Sequence, residues 1–127
     1  MDSNRYVRQI ALPNIKEEGQ KIISSLRILV FGCGALGCSC AEFLTRAGVQ
    51  FLRLVDRDVV EWSNLQRQHL FAEPDALAHL PKAKAAEERL RQINHHVKIE
   101  SLVLDVNAQN IESLLENVDA VIDATDR

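Results

Sequence analysis

Three glycines, Gly32, Gly34 and Gly37, stand in the run Gly-Cys-Gly-Ala-Leu-Gly directly after the apolar stretch Ile28 to Phe31. Between a strand and a helix, each has its own task. The first permits a tight turn, the second lets a phosphate approach the backbone, and the third lets helix and strand pack closely. The helix that opens there offers unpaired N–H groups and the positive end of its dipole to an anion. Asp56 closes the next apolar run, Phe51 to Val55, about twenty residues further on. A carboxylate at that position can accept both hydroxyls of a ribose. Asp58 offers a second carboxylate whose role the pattern does not fix.

These residues alone fit an NAD-dependent oxidoreductase. The remaining polar residues fit it poorly. Asn64, Arg67 and Gln68 lie within one or two helical turns of one another and can share a face. A guanidinium there can chelate phosphate oxygens. Lys82 sits in the first turn of a helix opened by Pro81, where its charge opposes the helix dipole unless a polyphosphate is close. Asp126 follows the last apolar run, at the strand edge where open α/β sheets bind ligands, and a carboxylate there can hold Mg²⁺ beside phosphates. Each of these is singly a surface polar residue more often than not. Jointly they favour a triphosphate with a metal over a dinucleotide.

The elements that must position them alternate. A helical preface covers residues 1–26. Asn14 is expected to cap its helix, and Ile15, Ile22, Ile23 and Leu26 are expected to share a buried face. The segment Arg5 to Gln9 reads as a solvated arm. The helix after the glycines places Leu36, Cys40, Phe43, Leu44 and Ala47 at core spacing and ends at Gly48. Residues 56–82 contain no clear regular element, yet they hold Val59, Val60, Trp62, Leu65, Leu70 and Phe71. They read as an ordered binding loop with one helical turn, since a long connection in a compact domain is functional or disordered and this one is too apolar for disorder. The helix after Pro81 turns Ala83, Ala86, Leu90 and Ile93 inward. A third strand is expected over residues 97–104, a short helix capped by Asn107 or Asn110, and a fourth strand over 120–124. Strands alternating with helices imply an α/β fold, Rossmann-like, with a mostly parallel sheet, helices on both faces and an N-terminal helical preface.

The 127 residues carry a net charge of −3, which gives no support for binding nucleic acid or an anionic membrane by bulk attraction. No apolar run approaches a membrane span, and the N-terminus lacks a signal-peptide core, so a cytosolic setting is expected. The three cysteines, Cys33, Cys38 and Cys40, crowd into one turn and helix without a C-x-x-C pair. That argues against a disulfide framework and against a zinc site. Cys33 reads as a small residue fitting the turn, and Cys40 as core. The chain stops directly after a strand-like run, and we expect it to be part of a longer protein.

Taken in order, RYVRQI, the glycine turn, LVDRDVVEWSNLQRQ, the Pro-Lys pair, Ile93-Asn94 and DATD resemble the ThiF/MoeB/HesA family, from Arg5 to Arg127. These are similar to the adenylating domains of ubiquitin-activating enzymes. The resemblance implies ATP- and Mg²⁺-dependent attachment of AMP to the C-terminal glycine carboxylate of a ubiquitin-like or sulfur-carrier protein ending in Gly-Gly, with release of pyrophosphate. It implies that Asp56 holds the ribose, that Asn64, Arg67 and Lys82 contact the phosphates with Gln68 in support, and that Asp126 binds Mg²⁺. It also implies a homodimer in which Arg8 reaches the ATP of the partner subunit. It makes residues 27–127 the N-terminal part of an ATP-binding adenylation domain, cut after the fourth strand. Any zinc motif, cysteine-bearing crossover and much of the carrier surface then belong to a later half absent from this chain. The chain departs from the family pattern at Ala35 and Ala78, where glycine is usual, and its Gln68–Lys82 connection is slightly longer. The non-enzyme alternative is a catalytically silent module for dimerisation or carrier binding.

Overall fold

The structure, a computed structural model, describes residues 4–125. Four parallel strands form one sheet in the order β3-β2-β1-β4. Strand β1 (Arg27–Phe31) lies between β2 (Phe51–Val55) and β4 (Ala120–Asp123), and β3 (Lys98–Leu102) flanks β2. The central strands are apolar on both faces because both faces are covered. On one side Ile28, Val30, Leu52 and Leu54 join the cluster that includes Cys38, Ala41, Ala86 and Leu90. These last four come from α3 (Ala35–Ala47) and α5 (Lys82–Ile93). On the other side Leu29, Phe31 and Val55 pack with Leu114 of the short helix α6 (Ile111–Leu114). The Rossmann-like α/β arrangement is therefore present with helices on both faces. Strand β4 and the ends of β3 are a residue or more shorter than the apolar runs suggested, and Pro81 is the residue before α5 rather than its first.

The inward face of α3 differs from the expected one. Leu36 and Phe43 are 60% and 70% exposed, and Cys40 is only partly buried. The buried positions are Gly37, Cys38, Ala41 and Thr45. Small residues win that face because the helix lies very close to β1. A Cβ added to Gly37 would stand 1.8 Å from the carbonyl oxygen of Gly32. Leu36 and Phe43 are consequently pushed to the outer face, while Leu44 packs against the core as expected.

The preface also departs from expectation. Helix α2 (Lys16–Ile23) has Ile15 rather than Asn14 at its N-cap and receives no side-chain cap. Ile22 is 63% exposed, and Gln20 is buried instead. Arg5, Val7 and Arg8 are exposed, as a solvated arm would be, but the segment is anchored through Tyr6 and Gln9. Tyr6 is 3% exposed and packs against Gly48, where an added Cβ would meet its ring at 2.4 Å. Its hydroxyl accepts a hydrogen bond from Asn94 Nδ2 at 2.9 Å, and the same Nδ2 donates to Thr45 O at 3.0 Å. Gln9 of α1 (Val7–Ile10) donates to Ala47 O at 2.8 Å. The preface is thus bolted to the C-terminal ends of α3 and α5.

The connection from Asp56 to Lys82 is ordered, with two short helical pieces instead of one turn: a 3-10 turn (Trp62–Asn64) and α4 (Glu73–Leu77). Ala78 has an ordinary helical φ of −85°, so alanine there is unstrained; the left-handed residue is the next one, His79, at φ 51°.

Candidate functional site

A cleft of about 640 Å³ opens at the carboxyl ends of β1, β2 and β3. Parallel strands bring their carboxyl ends, and the N-termini of the helices that follow, to one edge, which is where open α/β sheets hold ligands. The floor is the glycine turn. Gly32 adopts φ 93°, and an added Cβ would press on Ala124 O at 2.8 Å, so both conformation and space call for glycine. Gly34 has no such constraint: a Cβ there would meet nothing closer than Gln68 Nε2 at 3.8 Å. Its bareness keeps the backbone open to the cleft. Ala35, the first residue of α3, also lines the cleft.

Asp56 directly follows β2 with both oxygens held. Oδ2 accepts from Cys33 N at 2.7 Å, and Oδ1 accepts from Asp58 N at 2.7 Å. The carboxylate is fixed beside the glycine turn with lone pairs remaining for hydroxyl donors. Asp58 is exposed at the rim, and its backbone carbonyl accepts from Lys82 N at 2.9 Å. That bond, with the isolated antiparallel bridge between Val59 and Pro81, carries the start of α5 to the cleft.

The second wall comes from the long connection. Asn64 Oδ1 accepts from Glu61 N at 2.8 Å, which closes the 3-10 turn and fixes a buried carboxamide. Arg67 is exposed, and its Nη1 donates to Ser63 O at 3.0 Å. Gln68 is buried, and its Oε1 has no hydrogen-bond partner among the described residues. Asn64, Arg67, Gln68 and Lys82 all line the same cleft as Gly34 and Asp56. Lys82 is 7% exposed, and no described residue forms an ion pair or side-chain hydrogen bond with it. Its stem is buried while the side chain lines the open cleft, so its charge is available to an anion there.

Two expected residues lie elsewhere. Arg8 is on α1, packed at the far end of α3, roughly 20 Å from the glycine turn at 1.5 Å per residue. It does not belong to the cleft of its own chain. Asp126 lies outside the described residues. Before it, Asp123 at the end of β4 accepts from the Thr125 hydroxyl at 2.6 Å and from Thr125 N at 3.1 Å, and these bonds hold its carboxyl below the usual carboxylate value. Among the described residues, no group of three or more His, Cys, Asp and Glu could hold a metal ion.

The thiols under the turn are not nucleophiles. Burial pushes the Cys33 pKa far up, with the neighbouring Asp56 charge adding to it. Cys38 is pushed up to about 11, again chiefly by burial. Neither is a thiolate at neutral pH.

Sequence reasoning missed the partners that brace these walls. Glu42 of α3 binds Arg46 Nε at 2.8 Å and His69 Nε2 at 2.6 Å, which ties the segment carrying Asn64 to Gln68 onto the helix. The Arg46 hydrogen bond, then the His69 hydrogen bond, hold the Glu42 carboxyl below its ordinary 4.5. A depressed folded-state pKa contributes stability that is present above the unfolded value and is lost as pH falls through the folded one. Glu42→Gln should therefore lower the thermal midpoint at neutral pH and flatten its decline below pH 4.5, so that the two proteins converge in acid, as read by unfolding curves across pH. Arg57, Leu104, Asp105 and Val106 also line the cleft and went unnoticed. Their signal was positional: they follow Asp56 and the third strand.

Residues 6–127 match the ThiF family. The chain belongs to the ThiF family. It is 48% identical over 124 residues to the sulfur carrier protein ThiS adenylyltransferase of Bacillus subtilis, covering 98% of this chain and 37% of that protein. It is 38% identical over 122 residues to the molybdopterin-synthase adenylyltransferase of Escherichia coli, covering 96% of this chain and 48% of the relative. Among solved structures, it resembles the E. coli tRNA N6-threonylcarbamoyladenosine dehydratase TcdA in complex with ATP. There the TM-score is 0.89 at 28% identity, and the likeness covers 100% of this chain and 52% of that one. The chain thus spans between about a third and a half of the length of these relatives. No helix among the described residues is long and apolar enough to cross a membrane.

Proposed function

We propose that this ThiF-family chain forms the ATP-binding part of an adenylyltransferase that activates the C-terminal carboxylate of a sulfur-carrier or ubiquitin-like protein. The observation that carries the reading is that Lys82, which forms no ion pair among the described residues, lines one cleft with the glycine turn, Asp56, Asn64 and Arg67. A dinucleotide needs only the first two. A triphosphate uses them all, and the names of the relatives and the ATP-bound neighbour support that choice.

The chemistry asks little covalent work of the protein. The nucleophile is the carrier's own carboxylate, so no Ser–His or Cys–His pair is needed, and the thiols buried beneath the glycine turn are accordingly idle. The N–H groups at the start of α3 take phosphate oxygens over Gly34. Asp56 accepts the ribose hydroxyls and fixes the nucleotide's register. Lys82, Arg67 and the Asn64 amide donors stabilise charge on the phosphates and on the departing pyrophosphate. Asp126 is our proposed Mg²⁺ ligand; the ion would neutralise phosphate charge. Arg8, set far from its own cleft, is proposed to serve the cleft of a second subunit. We further propose residues 27–127 as the first part of the adenylation domain, residues 1–26 as its helical preface, and a cytoplasmic setting.

The test is ATP–pyrophosphate exchange with the full-length protein and carriers ending in Gly-Gly. Exchange is expected only when a carrier is present. No exchange with any carrier would overturn the reading in favour of a silent module.

A further inference from the structure

The cleft extends beyond the residues that phosphates and ribose would occupy. It follows the carboxyl ends of the strands in sheet order, from the glycine turn at β1, over Asp56 at β2, to Leu104, Asp105 and Val106 after β3. Two strand spacings, about 10 Å, separate the first from the last. A nucleotide with phosphates at the start of α3 and ribose on Asp56 has only its base left to place at the β3 end.

That end is built. Arg57 Nη1 donates to Asp105 Oδ2 at 2.9 Å, joining the segment after β2 to the segment after β3. Arg57 Nε is 3.8 Å from Asp58 Oδ1. The backbone under both residues is anchored: Asp56 is held through both its oxygens, and Asp105 O accepts from Asn110 Nδ2 at 2.7 Å. Leu104 and Val106 supply apolar surface on either side of Asp105 in the chain.

We propose that Arg57, held by Asp105, is the nucleobase contact of this cleft and sets its preference for a nucleotide over a bare polyphosphate. The proposal rests on the nucleotide reading above and deepens it. A guanidinium is flat, weakly hydrated and able to stack on an aromatic face; an ammonium is none of these. Pairing with a carboxylate orients the plane before the base arrives, so less side-chain freedom is lost on binding. The bland alternative is a half-exposed surface ion pair, whose loss changes almost nothing.

Titration calorimetry with ATP and with inorganic tripolyphosphate separates the two in the full-length protein. Arg57→Ala and Arg57→Lys should each weaken ATP binding roughly 3- to 30-fold and leave tripolyphosphate binding unchanged. Asp105→Asn should weaken ATP in the same direction, again without effect on tripolyphosphate. Wild-type ATP affinity in Arg57→Lys, or equal weakening of both ligands, would show that only charge matters and overturn the base contact. Unchanged ATP binding in Asp105→Asn would overturn its positioning part. A wild-type protein that binds no ATP at all would remove the nucleotide reading itself, a result visible before any variant is made.

Discussion

Lys82→Met in the full-length protein should lower ATP–pyrophosphate exchange by roughly 10²–10³-fold, the range seen when a group stabilising transition-state charge is removed. It should do so without lowering the thermal midpoint. Lys82 stands at the start of α5 and forms no ion pair among the described residues, so the ligand-free fold gains nothing from its charge. Its placement in the first helical turn is unfavourable, because the positive end of the dipole faces it. Methionine keeps most of the buried stem and removes only a charge that opposes the helix dipole, so the fold loses little. Activity and stability therefore move apart. A structural lysine would behave otherwise, with a lower midpoint and an activity loss no larger than the unfolded fraction. Exchange assays beside thermal unfolding of the same preparations decide between them.

The site was legible in the sequence where local chemistry alone dictates position. A glycine with positive φ at Gly32, a carboxylate closing a strand at Asp56 and a lysine in a first helical turn each follow from rules that act over a few residues. Their order along a strand–helix alternation then puts them on one sheet edge, and Gly34, Asp56, Asn64, Arg67, Gln68 and Lys82 line one cleft there. What was not legible depends on distance between elements. The closeness of α3 to β1 exchanged its expected core face for Gly37, Ala41 and Thr45, a choice that helical spacing cannot make. Tyr6 looked like part of a solvated arm because nothing near it in sequence predicts Gly48 and Asn94 as its neighbours. Arg57 and Asp105 meet across 48 residues, so neither carried a signal alone.

The same closeness predicts opposite results for two alanines in one turn. Gly37→Ala should destabilise the protein by on the order of 3 kcal/mol, since overpacked sites cost about that when backbone must move. Its new Cβ would lie 1.8 Å from Gly32 O and 2.8 Å from Gly32 C, both backbone atoms that no rotamer change can relieve. Relief requires α3 to retreat from β1. That opens the contact with Ala124 and swings the helix N-terminus away from the anion position, so binding falls together with the fold. Gly34→Ala meets only the end of the Gln68 side chain at 3.8 Å, ordinary contact, and its φ of −79° suits any residue. Its thermal midpoint should stay at the wild-type value. The added methyl instead occupies the place where a phosphate would approach the backbone, so ATP and tripolyphosphate should both bind more weakly. Unfolding curves and calorimetry on the two variants test the pair. A stable Gly37→Ala protein would refute the packing argument for the third glycine. Undiminished phosphate binding in Gly34→Ala would move the anion away from the turn, and with it the direction in which the nucleotide lies along the sheet.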